Sequence, residues 1–134
     1  MPVRPTLALV ATKPGSLQDS LVALMTTMPQ INAVLIAEDA ASALRTMAQH
    51  RPALLVLEMD LLAEEGVTPL QEIKTRWPAT RCIALAGEVR QQGMAESAGA
   101  DVVLIVGFPA TVFVKTVEEL LSREENGHAC IDGT

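Results

Sequence analysis

Five short apolar runs, separated by stretches of helical periodicity, restrict the folds open to this 134-residue chain more than any other feature. The runs cover residues 7–10, 33–37, 53–57, 82–86 and 102–106, and they are rich in Val, Ile and Leu. Each is too short for a helix of ordinary length, and each is nearly continuous rather than alternating. Strands buried on both faces of a parallel sheet read this way.

The intervening segments carry the helical signal. In 16–28, Leu17, Leu21, Leu24, Met25 and Met28 fall on one helical face, and Ser16 with Asp19 has capping-box spacing. Asp39 is placed to cap a second helix burying Ala43, Leu44 and Met47, which Pro52 stops. Thr68-Pro69 predicts a third start, with Thr68 as cap, Pro69 at the first helical position and Gln71 completing the box. That helix buries Leu70, Ile73 and Trp77, and Pro78 ends it. Residues 88–98 form a weaker helix containing Gly93. Pro109 opens a last one that buries Phe113, Val117, Leu120 and Leu121. Strand and helix thus alternate five times. Right-handed crossovers then give a doubly wound α/β domain, a five-stranded parallel sheet between two helical layers. The expected domain covers 1–125, and 126–134 reads as a flexible tail or the stub of a linker.

Composition narrows the function. With 49% hydrophobic and 19% charged residues, the chain is not intrinsically disordered. A formal charge of −6 argues against nucleic-acid contact by this domain. One Trp, two Phe and no Tyr leave little for a stacking platform. Cys82 lies in an apolar run and Cys130 in a polar one, so reduced thiols are expected. There is no apolar run of membrane-spanning length and no signal-peptide pattern, so the expected location is cytoplasmic.

In an open parallel sheet, ligands bind beyond the carboxyl ends of the strands. The informative residues are therefore 11–15, 58–60, 86–88 and 107–109. Around them, Arg51-Pro52-Ala53-Leu54-Leu55-Val56-Leu57-Glu58-Met59-Asp60-Leu61, then Gly66 and Ala98-Gly99-Ala100-Asp101, resemble the receiver domain of response regulators in two-component signalling. The resemblance runs from about Thr6 to Arg123 and implies the flavodoxin-like (βα)5 fold. Met28-Pro29-Gln30-Ile31 and Arg76-Trp77-Pro78 are similar to the subgroup with a C-terminal helix-turn-helix.

The same resemblance implies that the phosphorelay chemistry is gone. Ala11 and Thr12 stand where the family has its Mg²⁺-binding acidic pair, and Glu58 stands at the phosphoacceptor Asp. Ala86 replaces the hydroxyl residue after the fourth strand, and Val103 the aromatic switch. Val106 replaces the Lys ending the fifth strand, and Gly107 the Pro after it. Mg²⁺ is normally held by carboxylates with phosphate and water, and phosphoryl transfer needs that charge neutralised. The extra methylene of Glu58 displaces the carboxylate by about 1 Å from a productive position. No phosphorylation of Glu58 is expected, and neither metal nor cofactor.

Glu58 has two readings: a mimic of phospho-Asp, or a polar strand end solvated or bonded to backbone N–H groups. The second is favoured, because the residues that would sense a mimic are replaced. Residues 58–72, with Glu58, Asp60, Glu64, Glu65 and Glu72 and no basic side chain, form an acidic rim rather than a cation site. Thr12-Lys13-Pro14-Gly15-Ser16 reads as a turn and cap, with an anion site as the rival. His50 and His128 lack metal-ligand spacing.

The expected protein is a phosphorylation-independent pseudo-receiver, not an enzyme. Its partner is a second copy, through the fourth helix, fifth strand and fifth helix, or another protein. Phe108 and Val112 are the interface candidates, while 102–106 is expected to fill the core. The readings left open are the dimerising head of a DNA-binding regulator, a standalone adaptor for a kinase or another receiver, and, less favoured, an enzyme or small-ligand module.

Overall fold

In a computed structural model of the chain, residues 6–64 and 66–122 are described in full and 123–133 as backbone. The strands are β1 (Leu7–Ala11), β2 (Ala33–Ala37), β3 (Leu54–Glu58), β4 (Arg81–Ala86) and β5 (Val102–Ile105). The helices are α1 (Ser16–Thr26), α2 (Ala40–His50), α3 (Thr68–Arg76), α4 (Val89–Ala98) and α5 (Ala110–Gly133), with a 3-10 turn at Met59–Leu62. All neighbouring strands pair in parallel, in the order β2-β1-β3-β4-β5. This is the expected flavodoxin-like architecture. Strand order reverses between β1 and β3, which places the crevice at Ala11–Thr12 and Glu58.

Alternate side chains of the sheet feed two cores. Leu9, Leu55, Leu57 and Ala84 pack with Met47, Leu70 and Ile73 on the α2–α3–α4 face. Val10, Val56, Ile83 and Leu85 pack with Leu21, Met25, Phe113 and Val117 on the α1–α5 face. Among the described residues no helix is long and apolar enough to cross a membrane.

Several local expectations need correction. Asp39 caps α2 as expected, accepting the Ser42 N–H at 2.7 Å, with Ser42 Oγ returning toward the Asp39 N–H. Ser16 and Thr68, however, are already helical and cap nothing. Gly15, at φ 148°, takes the N-cap of α1 without a side-chain bond. Val67 takes the cap of α3, with Pro69 one position deeper than expected. Gly66, at φ +73°, turns the chain so that helical dihedrals begin at Val67. Trp77 ends α3 half-buried, packed against the α2–α3–α4 core rather than enclosed by it, with the Arg76 guanidinium 5.5 Å from its ring centroid. The last run does not simply fill the core. β5 is an edge strand, and Ile105 and Val106 are 40% and 44% exposed. The tail expected over 126–134, with Cys130 and His128, lies outside the fully described residues.

Candidate functional site

At the crevice, β3 delivers Glu58 half-buried, facing the loop that follows β1. One carboxylate oxygen of Glu58 accepts the Lys13 backbone N–H at 3.0 Å. The loop before α1 thus already receives an internal anion. Behind it, Ala11 and Thr12 are completely buried. The Thr12 N–H donates to the Ala37 carbonyl at 3.1 Å, and Gln18 Nε2 reaches Thr12 O at 3.4 Å and Glu38 at 3.2 Å. Thr12 Oγ1 is buried without a hydrogen-bond partner among the described residues. Such a group costs about 1–3 kcal/mol.

Across the crevice, Ala86 is fully buried, and its carbonyl accepts the Val106 N–H at 2.8 Å. Val103 is half-buried against the α2–α3–α4 core. Gly107 continues the chain at φ 108°. Among the described residues no three His, Cys, Asp or Glu side chains are arranged to hold a metal ion. The residues beside Glu58 do not fit Mg²⁺: a buried methyl at Ala11 and a buried hydroxyl at Thr12 offer no carboxylate, and Glu58 is already bonded to Lys13.

Sequence reasoning missed one residue. Gln91 accepts the Gly87 N–H through its side-chain oxygen and donates Nε2 to Asp60 at 2.7 Å. This ties the β4–α4 turn to the turn after β3. Its signal was a Gln at the third helical position, the place from which a capping box reaches back. The same spacing drew attention to Gln71, where no such bond forms. Gln91 also lines a shallow groove of about 200 Å³, with Met59, Leu62, Met94, Glu88 and Arg90. His50 is exposed at the end of α2.

The interface candidates divide. Phe108 is half-buried and stacks on Phe113 at 5.9 Å between centroids, so much of its ring serves the α1–α5 core. Val112 is 41% exposed. The large hydrophobic residues exposed on α4, β5 and the start of α5 also include Val89, Met94, Ile105 and Val106.

At the opposite end of the sheet, side chains bond buried backbone groups. Lys74 Nζ donates to Asp101 Oδ2 at 2.9 Å and to the Thr80 carbonyl at 2.8 Å. The same Asp101 oxygen accepts the Cys82 N–H at 2.7 Å. Thr80 Oγ1 donates to the Pro52 carbonyl at 2.8 Å. Burial pushes the Cys82 thiol up to about 12, against a smaller downward pull from Lys74.

These features define a five-stranded receiver fold. Neither a protein-family model nor a curated protein matches the chain. Solved structures do match. One is the receiver domain of an HD-domain-containing protein from Pseudomonas fluorescens Pf-5, at 21% identity and TM-score 0.80, covering 92% of this chain and 99% of that one. Another is a CheY-like response regulator receiver domain protein from Methanospirillum hungatei JF-1, at 18% identity and TM-score 0.81, with the same coverage. NtrX from Brucella abortus matches at 21% identity and TM-score 0.82, over 98% of this chain but only 30% of NtrX. At these identities the likeness is one of fold.

Proposed function

We propose that this domain is a pseudo-receiver, a signalling module that binds protein without being phosphorylated and serves as the regulatory, dimerising head of a response regulator. The observation that carries the reading is the state of Glu58. Its carboxylate is bonded to the Lys13 N–H and flanked by Ala11, Thr12 and Ala86, none of which supplies a second carboxylate or a cation. A strand end of this kind lacks the carboxylate ligands that hold the metal ion for phosphoryl transfer. The bond to Lys13 favours the structural role of Glu58 over a phospho-Asp mimic. Contact is made through α4, β5 and the start of α5, where Val89, Ile105, Val106 and Val112 expose apolar surface. The net charge of −6 disfavours nucleic acid as a direct partner of the domain.

Light scattering with and without Mg²⁺ and acetyl phosphate tests this, together with an intact mass spectrum. The expected result is one unchanged solution mass and no phosphoryl adduct. An adduct, or a mass that follows the phosphodonor, overturns the reading. A constant dimer fits a dimerising head, and a constant monomer moves the reading to an adaptor for another protein.

A further inference from the structure

We propose that the groove between α4 and the turn after β3 docks a basic segment of a partner protein, with one aliphatic side chain in the groove and lysine or arginine against its rim. This surface is separate from the contact proposed above. It lies where α4 meets the chain leading into α3, and it stands whether or not the pseudo-receiver reading holds. The groove is tied together before anything binds. Its walls are the chain from Met59 to Gly66 and the first turns of α4. Gln91 joins them, donating Nε2 to Asp60 at 2.7 Å while its side-chain oxygen accepts the Gly87 N–H. A segment docking here does not first have to order these walls, which lowers the cost of binding. Volume decides the size of the anchor. At about 200 Å³ the groove falls below the range of about 300–1,000 Å³ usual for a drug-sized ligand, and it suits a single aliphatic side chain. Its lining is apolar in the right places: Met59 and Leu62 are almost enclosed, and Met94 is 37% exposed. Methionine adapts its shape to many apolar neighbours.

Charge decides what flanks the anchor. Glu88 lines the groove, Asp60 is bonded to Gln91 in its wall, and Glu64 follows Ala63, another lining residue. These three exposed carboxylates face one exposed cation, Arg90. Among the described residues none of the four is in an ion pair. From Glu58 to Ile73 the sequence has no Lys or Arg, and Lys74 is held by Asp101 at the other end of the sheet. A nucleic acid, an anionic lipid or an acidic peptide would add negative charge to this rim, whereas a basic segment neutralises it. A second copy of the chain is disfavoured by its own charge of −6. The occupant that fits both the groove and its rim is a short stretch of protein with an aliphatic residue between basic ones.

The test is a nuclear magnetic resonance titration of the whole isotope-labelled chain with a capped synthetic peptide, one leucine between two pairs of lysines. Saturable amide shifts are expected at residues 59–66 and 87–94, with binding that weakens as salt is added. Glycine in place of the leucine is expected to weaken binding by about tenfold or more, the worth of burying one leucine side chain. Glutamates in place of the lysines are expected to abolish it. These peptide comparisons need no variant to fold. In the chain, Glu88→Lys is expected to weaken the leucine peptide on the order of tenfold, because a rim charge is reversed. Asp19→Lys, the same reversal at the start of α1, is expected to leave binding within about twofold, the scatter of surface substitutions. Equal binding of the leucine and glycine peptides, shifts centred away from the groove, or no saturation at millimolar peptide overturns the proposal. If the same amides shift when the chain alone is concentrated, the occupant is a second copy and the assignment to a basic partner is overturned.

Discussion

Replacing Asp101 by Ala is expected to remove about 3 kcal/mol of folding stability, a large share of what a domain of this size has. The carboxylate does two things at once, bonding Lys74 Nζ at 2.9 Å and the Cys82 N–H at 2.7 Å. Arg81 Nη1 stands 3.9 Å from its other oxygen. Cys82 is fully buried, so its N–H would be left without an acceptor at about 1–3 kcal/mol. Lys74 would keep only the Thr80 carbonyl. Breaking a fully buried ion pair costs about 3–5 kcal/mol. Here the side chains retain 16% and 21% of their exposure, so water reaches them and that contribution is discounted to about 1–2 kcal/mol. The midpoint of thermal unfolding should fall by about 10 °C for a chain of this length. Asp101→Asn keeps an oxygen for the Cys82 N–H but loses the ionic contact, and about half the effect is expected. Urea unfolding followed by circular dichroism and by the single Trp77 measures both variants. A loss under about 1 kcal/mol for Ala, or equal losses for Ala and Asn, would refute the assignment of two separable roles to this carboxylate.

Two further outcomes follow from the titrating groups. Cys82, buried and with its thiol pushed up to about 12, should react with iodoacetamide only as fast as the domain opens. Peptide mapping that finds native-state labelling at the unfolded rate would contradict its burial. The Ser42 N–H, with a smaller contribution from its hydroxyl, holds the exposed Asp39 carboxyl below its ordinary range. A carboxyl depressed in the folded state stabilises above its unfolded pKa and loses that contribution as pH falls. The unfolding temperatures of the native chain and of Asp39→Ala should therefore differ at neutral pH and converge in acid. A gap that stays constant with pH would remove the capping bond as its cause.

The alternation of strands and helices was legible because fully buried strands must be continuously apolar and helices must repeat every three or four residues. What that pattern does not encode is a strand's place in the sheet. The run at 102–106 reads as core, like that at 82–86, yet β4 is interior and β5 lies at the edge with Ile105 and Val106 exposed. Helix starts failed for a different reason. Ser16 and Thr68 have the right chemistry, but backbone turns at Gly15 and Gly66 put them one residue inside their helices. Asp39 succeeded because its extended backbone leaves the carboxylate free to reach Ser42. At the crevice, the proposed loss of phosphoryl chemistry rests on residue identities at 11, 12, 58, 86 and 106. The Lys13–Glu58 and Gln91–Asp60 bonds depend on loops meeting across the sheet, which spacing along the chain does not reveal.

Under the proposed pseudo-receiver reading, the two ends of this sheet differ in what their residues do. Pro52, Thr80, Lys74, Gly99 and Asp101 cluster where β3, β4 and β5 begin. There they satisfy buried backbone groups, and Gly99 turns at φ 105° where an added Cβ would stand 3.4 Å from Lys74 Cγ. In this chain each has a structural task. Ala11, Thr12, Glu58, Ala86 and Val106 lie at the other end, where the strands stop. Ala11 and Ala86 close that end with buried methyls, and Glu58 supplies the acceptor for Lys13. The backbone there is satisfied without a metal ion or a phosphoryl group. Among the described residues the two sets share no hydrogen bond, so the polar network at one end is separate from that at the other. Unless a residue at the carboxyl ends is needed for folding, nothing in the packing opposes replacing a reactive group there with an inert one.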